Sequence, residues 1–184
     1  MINVPGYKVG GILYSAEEIQ EKVKELGRRI SEDYKGRPLT VVGILKGSFV
    51  FMADLIREID ADVQLDFIAA ASYGNKTESS GEIQIKKDMD ITPAGKDILI
   101  VEDIIDSGNT LKYLRDIYLA GKNAKSVKIA TLLSKPSRRK VDIEPDYNGF
   151  VIDDLFVVGY GLDYAQQYRQ LPYIAWLEEE NPEL

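Results

Sequence analysis

The stretch Ile98 to Leu111, ILIVEDIIDSGNTL, places three acids, a turn of small residues and the start of a helix directly after an apolar run. Ile98, Leu99, Ile100 and Val101 suit a strand buried on both faces of a parallel sheet, which puts Glu102 and Asp103 at its carboxyl end. Asp106-Ser107-Gly108-Asn109-Thr110 follows. Gly108 permits a tight backbone path, and Leu111, Leu114, Ile117 and Tyr118 then resume at helical spacing. The free N–H groups of such a turn and of the first helical turn can hold a phosphate dianion, assisted by the hydroxyls of Ser107 and Thr110. Three carboxylates would repel that ligand unless they face something else: ribose hydroxyls, a divalent cation or a base nitrogen. Spacing alone leaves an ordinary strand-turn-helix junction equally open, with solvated acids and Asp106 or Ser107 merely capping the helix.

The elements that must position these residues follow a βαβ order. Ser15-Ala16-Glu17-Glu18 is a capping box, and Ile19, Val23, Leu26 and Ile30 continue it as an amphipathic helix ending near Tyr34-Lys35-Gly36. Leu39 to Leu45 reads as a buried strand, Phe51 to Ile59 as a helix and Val63 to Ala71 as a second strand. The polar segment 74–81 carries no apolar face and is expected to be mobile. Ile83 and Ile85 alternate as in a half-exposed strand, and Pro93-Ala94-Gly95 makes a turn before the signature strand. Gly121 terminates the helix after the signature, Val127 to Leu133 is a buried strand, and Leu155 to Tyr160 is the next. The informative turns fall at strand carboxyl ends, where open α/β sheets place their ligands.

Composition narrows the chemistry. The chain of 184 residues, 45% apolar, is long enough to bury one core, and we expect a single domain over residues 1–184. It has no cysteine and no histidine, which excludes disulfides, iron–sulfur clusters, thiolate zinc sites and the commonest general base. Proton transfer then falls to Asp, Glu, Lys or Tyr, and a metal must be a hard cation held by oxygens. Thirty acids against 23 bases give a net charge of -7, which disfavours nonspecific nucleic-acid binding. The first residues lack the apolar core of a signal peptide, and no stretch approaches the roughly 20 apolar residues that span a bilayer. A cytoplasmic protein without nucleic-acid or membrane partners is expected.

VEDIIDSGNTL resembles the phosphoribosyl pyrophosphate (PRPP) signature of type I phosphoribosyltransferases. Three further segments resemble the bacterial 6-oxopurine enzymes of that superfamily, in the same order: GILKGSFVFMADL at 43–55, ASYGNKTESSGEI at 71–83 and LFVVGYGLDYAQQYRQLPYIAWL at 155–177. The resemblance implies an α/β fold with a central parallel five-stranded sheet flanked by helices, and a small hood built from the chain termini. It implies purine salvage: transfer of the phosphoribosyl group of PRPP to hypoxanthine and guanine, giving IMP or GMP and pyrophosphate, with Mg2+ as cofactor, in a homodimer or homotetramer. A xanthine- or pyrimidine-specific transferase and a noncatalytic PRPP-sensing regulator are the alternatives. The acidic chain disfavours the regulator, which needs a basic face or an added DNA-binding domain.

The resemblance also assigns roles. The turn Asp106, Ser107, Gly108, Asn109 and Thr110 would hold the 5'-phosphate of PRPP. Glu102 and Asp103 would meet the ribose hydroxyls and a Mg2+ ion. Lys46 and Gly47 would contact pyrophosphate, where the only alternative from the residues is a surface lysine at a strand end, and Arg169 would join them. Family members carry a cis peptide before this lysine. An aromatic in an apolar run reads first as core, but the resemblance makes Phe156 the platform on which the purine stacks. Val157 would meet the base edge through its backbone, and Asp163 would ligate a second Mg2+. Lys135 would donate to the purine 6-oxo group, and the remaining bases of KPSRRK read as a solvated turn. Asp106, against the N7 edge of the base, would be the catalytic acid–base. Ser72 and Tyr73 would begin a loop that closes over the reaction.

Overall fold

The computed structural model describes residues 6–72 and 83–180. The elements run β1 (Tyr7–Tyr14), α1 (Ala16–Asp33), β2 (Leu39–Leu45), α2 (Phe49–Arg57), β3 (Val63–Ser72), β4 (Ile83–Lys87), β5 (Asp97–Ile105), α3 (Asn109–Asp116), β6 (Ser126–Ser134), β7 (Tyr147–Val151), β8 (Val157–Val158) and β9 (Ile174–Glu179). One π-turn, Ile117–Gly121, extends α3, so Gly121 does end that helical segment. Ser72 closes β3, opposite Ile83. Tyr73 and the segment 74–81 lie outside the described residues.

The main sheet has the order β4-β3-β2-β5-β6-β7. Five of its strands are parallel, and β4 adds an antiparallel edge. Period-2 alternation sorts the core. Leu99 and Val101 of β5, with Val41 of β2, face α1 and α2 and pack on Ile19, Val23, Leu26, Phe51 and Leu55. Ile98 and Ile100, with Val42 and Ile44, face α3 and pack on Leu111, Leu114 and Tyr118. Burial on both faces is why these strands read as unbroken apolar runs. From β2 the chain winds outward to β3 and then crosses back to β5, so the strand order reverses between β2 and β5. Such a switch point opens a crevice at the carboxyl ends of the two strands.

A second, antiparallel sheet of order β1-β9-β8 forms the hood. It joins both termini, Tyr7 opposite Glu179 and Tyr14 opposite Ile174. Here the structure corrects the strand expected over Leu155 to Tyr160. Only Val157–Val158 is strand, it belongs to the hood opposite Trp176 and Ala175, and Leu155 and Phe156 are exposed. The main sheet instead takes β7, whose YNGFV sequence carries no strong strand pattern. Among the described residues no helix is long and apolar enough to cross a membrane.

Candidate active site

The signature turn is shaped from below. β5 ends at Ile105, and Gly108, at φ +81°, is the left-handed residue before α3. A side chain there would be strained and its Cβ would come within 2.5 Å of Ile143 Cγ2. The N-cap position is Gly108, which has no side chain to cap α3, and the long bond from the Asn109 N–H leaves only Ser107 with a local contact to the start of the helix. A cavity of about 130 Å³ opens over the turn, lined by Glu102, Ile104, Ile105, Asp106, Ser107, Gly108, Thr110 and Leu111. Asn109 does not line it; its N–H points to Ser107 Oγ at 3.4 Å.

A second cavity of about 220 Å³ adjoins the first and is lined by Asp103, Ile104, Asp106, Lys135, Phe156, Val157, Leu162 and Asp163. Ile104 and Asp106 border both. Asp106 Oδ1 is buried with no hydrogen-bond partner, and Lys135 Nζ stands 3.8 Å away. Lys135 is 7% exposed and lies equally 3.8 Å from Asp154 Oδ1, so both carboxylates are beyond hydrogen-bond distance. Phe156, 52% exposed, is propped edge-on by Tyr164 with ring centroids 5.3 Å apart. A half-exposed aromatic held by its edge at a cavity wall is not a core side chain, and it leaves a ring face open to the cavity.

Strand alternation decides the acid pair. Asp103 shares the face of Leu99 and Val101 and turns toward Gly47, whereas Glu102 shares the face of Ile98 and Ile100 and lines the cavity over the turn. Both stay in the crevice and both are half-buried. Burial pushes the Glu102 carboxyl well above the usual range, and the negative charge of Asp103 adds to it. Burial also raises Asp103, partly offset by hydrogen bonds and the Arg169 charge. Among the described residues neither carboxylate has an ion-pair partner, and Arg169, paired with Asp163, acts on Asp103 only at longer range.

The opposite wall comes from β2 and the hood. The Leu45–Lys46 peptide is cis. A Cβ at Gly47 would run into the Asp103 carboxylate, which would have to move, and one at Gly161, at φ +99°, would run into the Gly47 carbonyl, so Gly161 must be glycine. Arg169 is not on a helix. It donates to Gly161 O at 2.7 Å and pairs with Asp163 Oδ1 at 2.8 Å. Gln166, which the sequence pattern did not single out, accepts from Lys46 Nζ at 3.0 Å and from Arg169 at 3.4 Å. Its own N–H donates to Asp163 Oδ2 at 2.8 Å.

Arg139 corrects the expectation of a solvated basic turn. Arg138 and Lys140 are exposed, but the Arg139 side chain is 10% exposed and bonds the main chain of the signature turn. Among the described residues no three carboxylates gather as a metal cage. Mg2+ needs none, since it takes one or two carboxylates together with substrate phosphates. The Glu102–Asp103 pair, half-buried and without a direct ion-pair partner among the described residues, suits that demand.

The phosphoribosyl transferase domain family matches the chain over residues 11–165, and the chain belongs to that family. Particular relatives narrow the class. The hypoxanthine-guanine phosphoribosyltransferase of Bacillus subtilis is 56% identical over 167 residues, covering 91% of this chain and 92% of that protein. A crystal structure of a hypoxanthine phosphoribosyltransferase from Staphylococcus aureus aligns at TM-score 0.89 and 49% identity, over 92% of each chain. One of a hypoxanthine-guanine phosphoribosyltransferase from Bacillus anthracis aligns at 0.88 and 51%, over 92% of this chain and 99% of the other. The chain also matches bifunctional TilS/HprT proteins of Listeria at 53–54% identity, spanning only 26% of their length.

Proposed function

We propose that this protein transfers the 5-phosphoribosyl group of PRPP to hypoxanthine, and to guanine, releasing pyrophosphate and IMP or GMP. The observation that carries the reading is Asp106: one carboxylate, with an unpartnered buried oxygen, borders both the cavity over the turn and the cavity that holds Lys135 and Phe156. The activity of the B. subtilis relative supports it.

In this reading the amides and hydroxyls of the Ser107–Thr110 turn seat the 5'-phosphate, and the ribose lies over Glu102 and Asp103. The base stacks on Phe156 with its edge on the Val157 backbone. Lys135 donates to the 6-oxo oxygen, whereas the 6-amino group of adenine would set donor against donor, so adenine is rejected. As purine N9 bonds to the anomeric carbon and the bond to pyrophosphate breaks, the ring must shed a proton, and Asp106 accepts it at N7. Lys46 and Arg169, gathered by Gln166, balance the charge on the departing pyrophosphate. Mg2+ would be held by Glu102 and Asp103, with Asp163 on the pyrophosphate side, and supplies positive charge to the leaving group. The anionic wall favours the cation-like ribose. Action in the cytoplasm, as a homodimer or homotetramer, accompanies the proposal.

The test is an assay with PRPP and Mg2+ against hypoxanthine, guanine, xanthine, adenine and uracil. IMP formation that chelation abolishes supports the reading. Activity confined to uracil or xanthine, or unchanged in excess chelator, overturns it, and PRPP binding without turnover of any base would identify a sensor.

A further inference from the structure

The turn proposed to seat the phosphate is braced by a side chain that lines neither cavity. Arg139 Nη1 donates to Ile105 O at 3.0 Å and to Asp106 O at 2.6 Å, and Nη2 donates to Ser134 Oγ at 2.9 Å. Its fork is locked by Glu144, with Nε to Oε1 at 3.3 Å and Nη2 to Oε2 at 3.2 Å. The next residue continues the brace: Lys140 N–H donates to Ser107 O at 2.9 Å. Lys135 N–H supports Ile105 O as well, at 3.0 Å. Three successive carbonyls, 105 to 107, are therefore drawn inward.

In a trans peptide the C=O and N–H vectors are opposed. Drawing carbonyls 105 to 107 inward turns the N–H groups of residues 106, 107 and 108 outward, toward the cavity over the turn. Consecutive outward amides are what an anion-binding concavity requires. A guanidinium presents its donors in a rigid planar fork, so it fixes the directions of two neighbouring carbonyls and a carboxylate together, where an ammonium on a flexible stem fixes them less.

We propose that Arg139 is a positioning residue for 5'-phosphate recognition: clamped by Glu144, it fixes the peptide planes of the signature turn so that their N–H groups face the phosphate. Its contribution falls on ligands that carry the phosphate and spares the free base. The proposal rests on the phosphate lying at this turn, which the experiment tests separately.

The experiment compares Arg139→Lys, Arg139→Met and Glu144→Gln with the unaltered protein, using steady-state kinetics, IMP titration and the amide resonances of residues 106–110. For the Arg139 variants the KM for PRPP should rise, and the affinity for IMP should fall, by about tenfold or more, the size expected when charge-assisted bonds that hold a binding loop are lost. The KM for hypoxanthine should stay within about twofold. Glu144→Gln should give a smaller change of the same kind and guards against an Arg139 variant that fails to fold. If IMP leaves the 106–110 amides of the unaltered protein unmoved, the phosphate does not lie at the turn. If those amides respond but the variants keep normal PRPP and IMP affinity, or lose hypoxanthine affinity equally, the proposal for Arg139 is overturned.

Discussion

Replacing Asp106 by Asn keeps the shape of the side chain and removes its basicity. At 3.8 Å and an effective dielectric of 20, its attraction to Lys135 is about 4 kcal/mol gross. The Asp106 side chain is 44% exposed, however, so solvent screening reduces the net contribution to about 1 kcal/mol or less. Lys135 also retains Asp154 at 3.8 Å. Folding stability should therefore change by no more than about 1 kcal/mol, visible as a small shift of the thermal midpoint. Turnover is different. An amide cannot take the N7 proton, so kcat with hypoxanthine at saturating PRPP should fall roughly 10²- to 10⁴-fold, the usual range for a general acid–base. The KM for PRPP should change much less, because the proposed phosphate seat is made of backbone and hydroxyl groups. A folded Asp106→Asn protein with near-normal turnover would refute the acid–base role.

Lys135→Ala should narrow the preference for hypoxanthine over adenine while leaving the KM for PRPP nearly unchanged; a collapse in PRPP affinity with unaltered base preference would move Lys135 to the phosphate site. Gly47→Ala should lower kcat/KM for PRPP by about a hundredfold or more, because the new methyl meets Asp103 Oδ2; normal kinetics would show that this wall yields freely. Asp97, 4% exposed in its side chain, has its carboxyl held below the usual aspartate range: burial opposes this, but bonds from Ser126 and Lys125 outweigh it. A depressed folded-state value adds stability above the unfolded-state value and loses it as pH falls through the folded one. Asp97→Asn should therefore destabilise at pH 7, with the difference from the unaltered protein shrinking below about pH 4 in denaturant titrations; a constant difference would refute that linkage. Tyr160→Phe should cost about 1–2 kcal/mol in the same titrations, since the 2.5 Å bond from its hydroxyl to Asp54 ties the hood to α2; an unchanged midpoint would show the tie is dispensable.

What was legible in the sequence was local. The β5-turn-α3 unit could be read because its apolar run, its glycine and its helical spacing lie within 21 consecutive residues, 98–118. The capping box of α1 was equally readable. The hood was not. β1 contains Gly10 and Gly11, residues that weaken a strand signal, and they are accommodated by the Trp176 ring, which occupies the space where their side chains would be. β8 is two residues long, and no periodicity can announce it. Contacts between distant positions were hidden for the same reason. Nothing near Arg139 indicates that Ile105 and Asp106 will be its partners, and Gln166 gains its place only when the hood folds onto Lys46. The orientation of Phe156 also needed the fold, because its exposure depends on Tyr164 and on the short strand beside it.

Asp106 borders two adjoining cavities, proposed for the phosphate and for the base. A crystal structure of the protein with IMP and Mg2+ measures that directly. It should place the phosphate within hydrogen-bond distance of the Ser107–Thr110 amides, the purine on Phe156, its 6-oxo oxygen at Lys135 Nζ and its N7 at the Asp106 carboxylate. A phosphate seated instead at Lys46 and Arg169, or a purine that leaves Lys135 and Asp106 untouched, would contradict it.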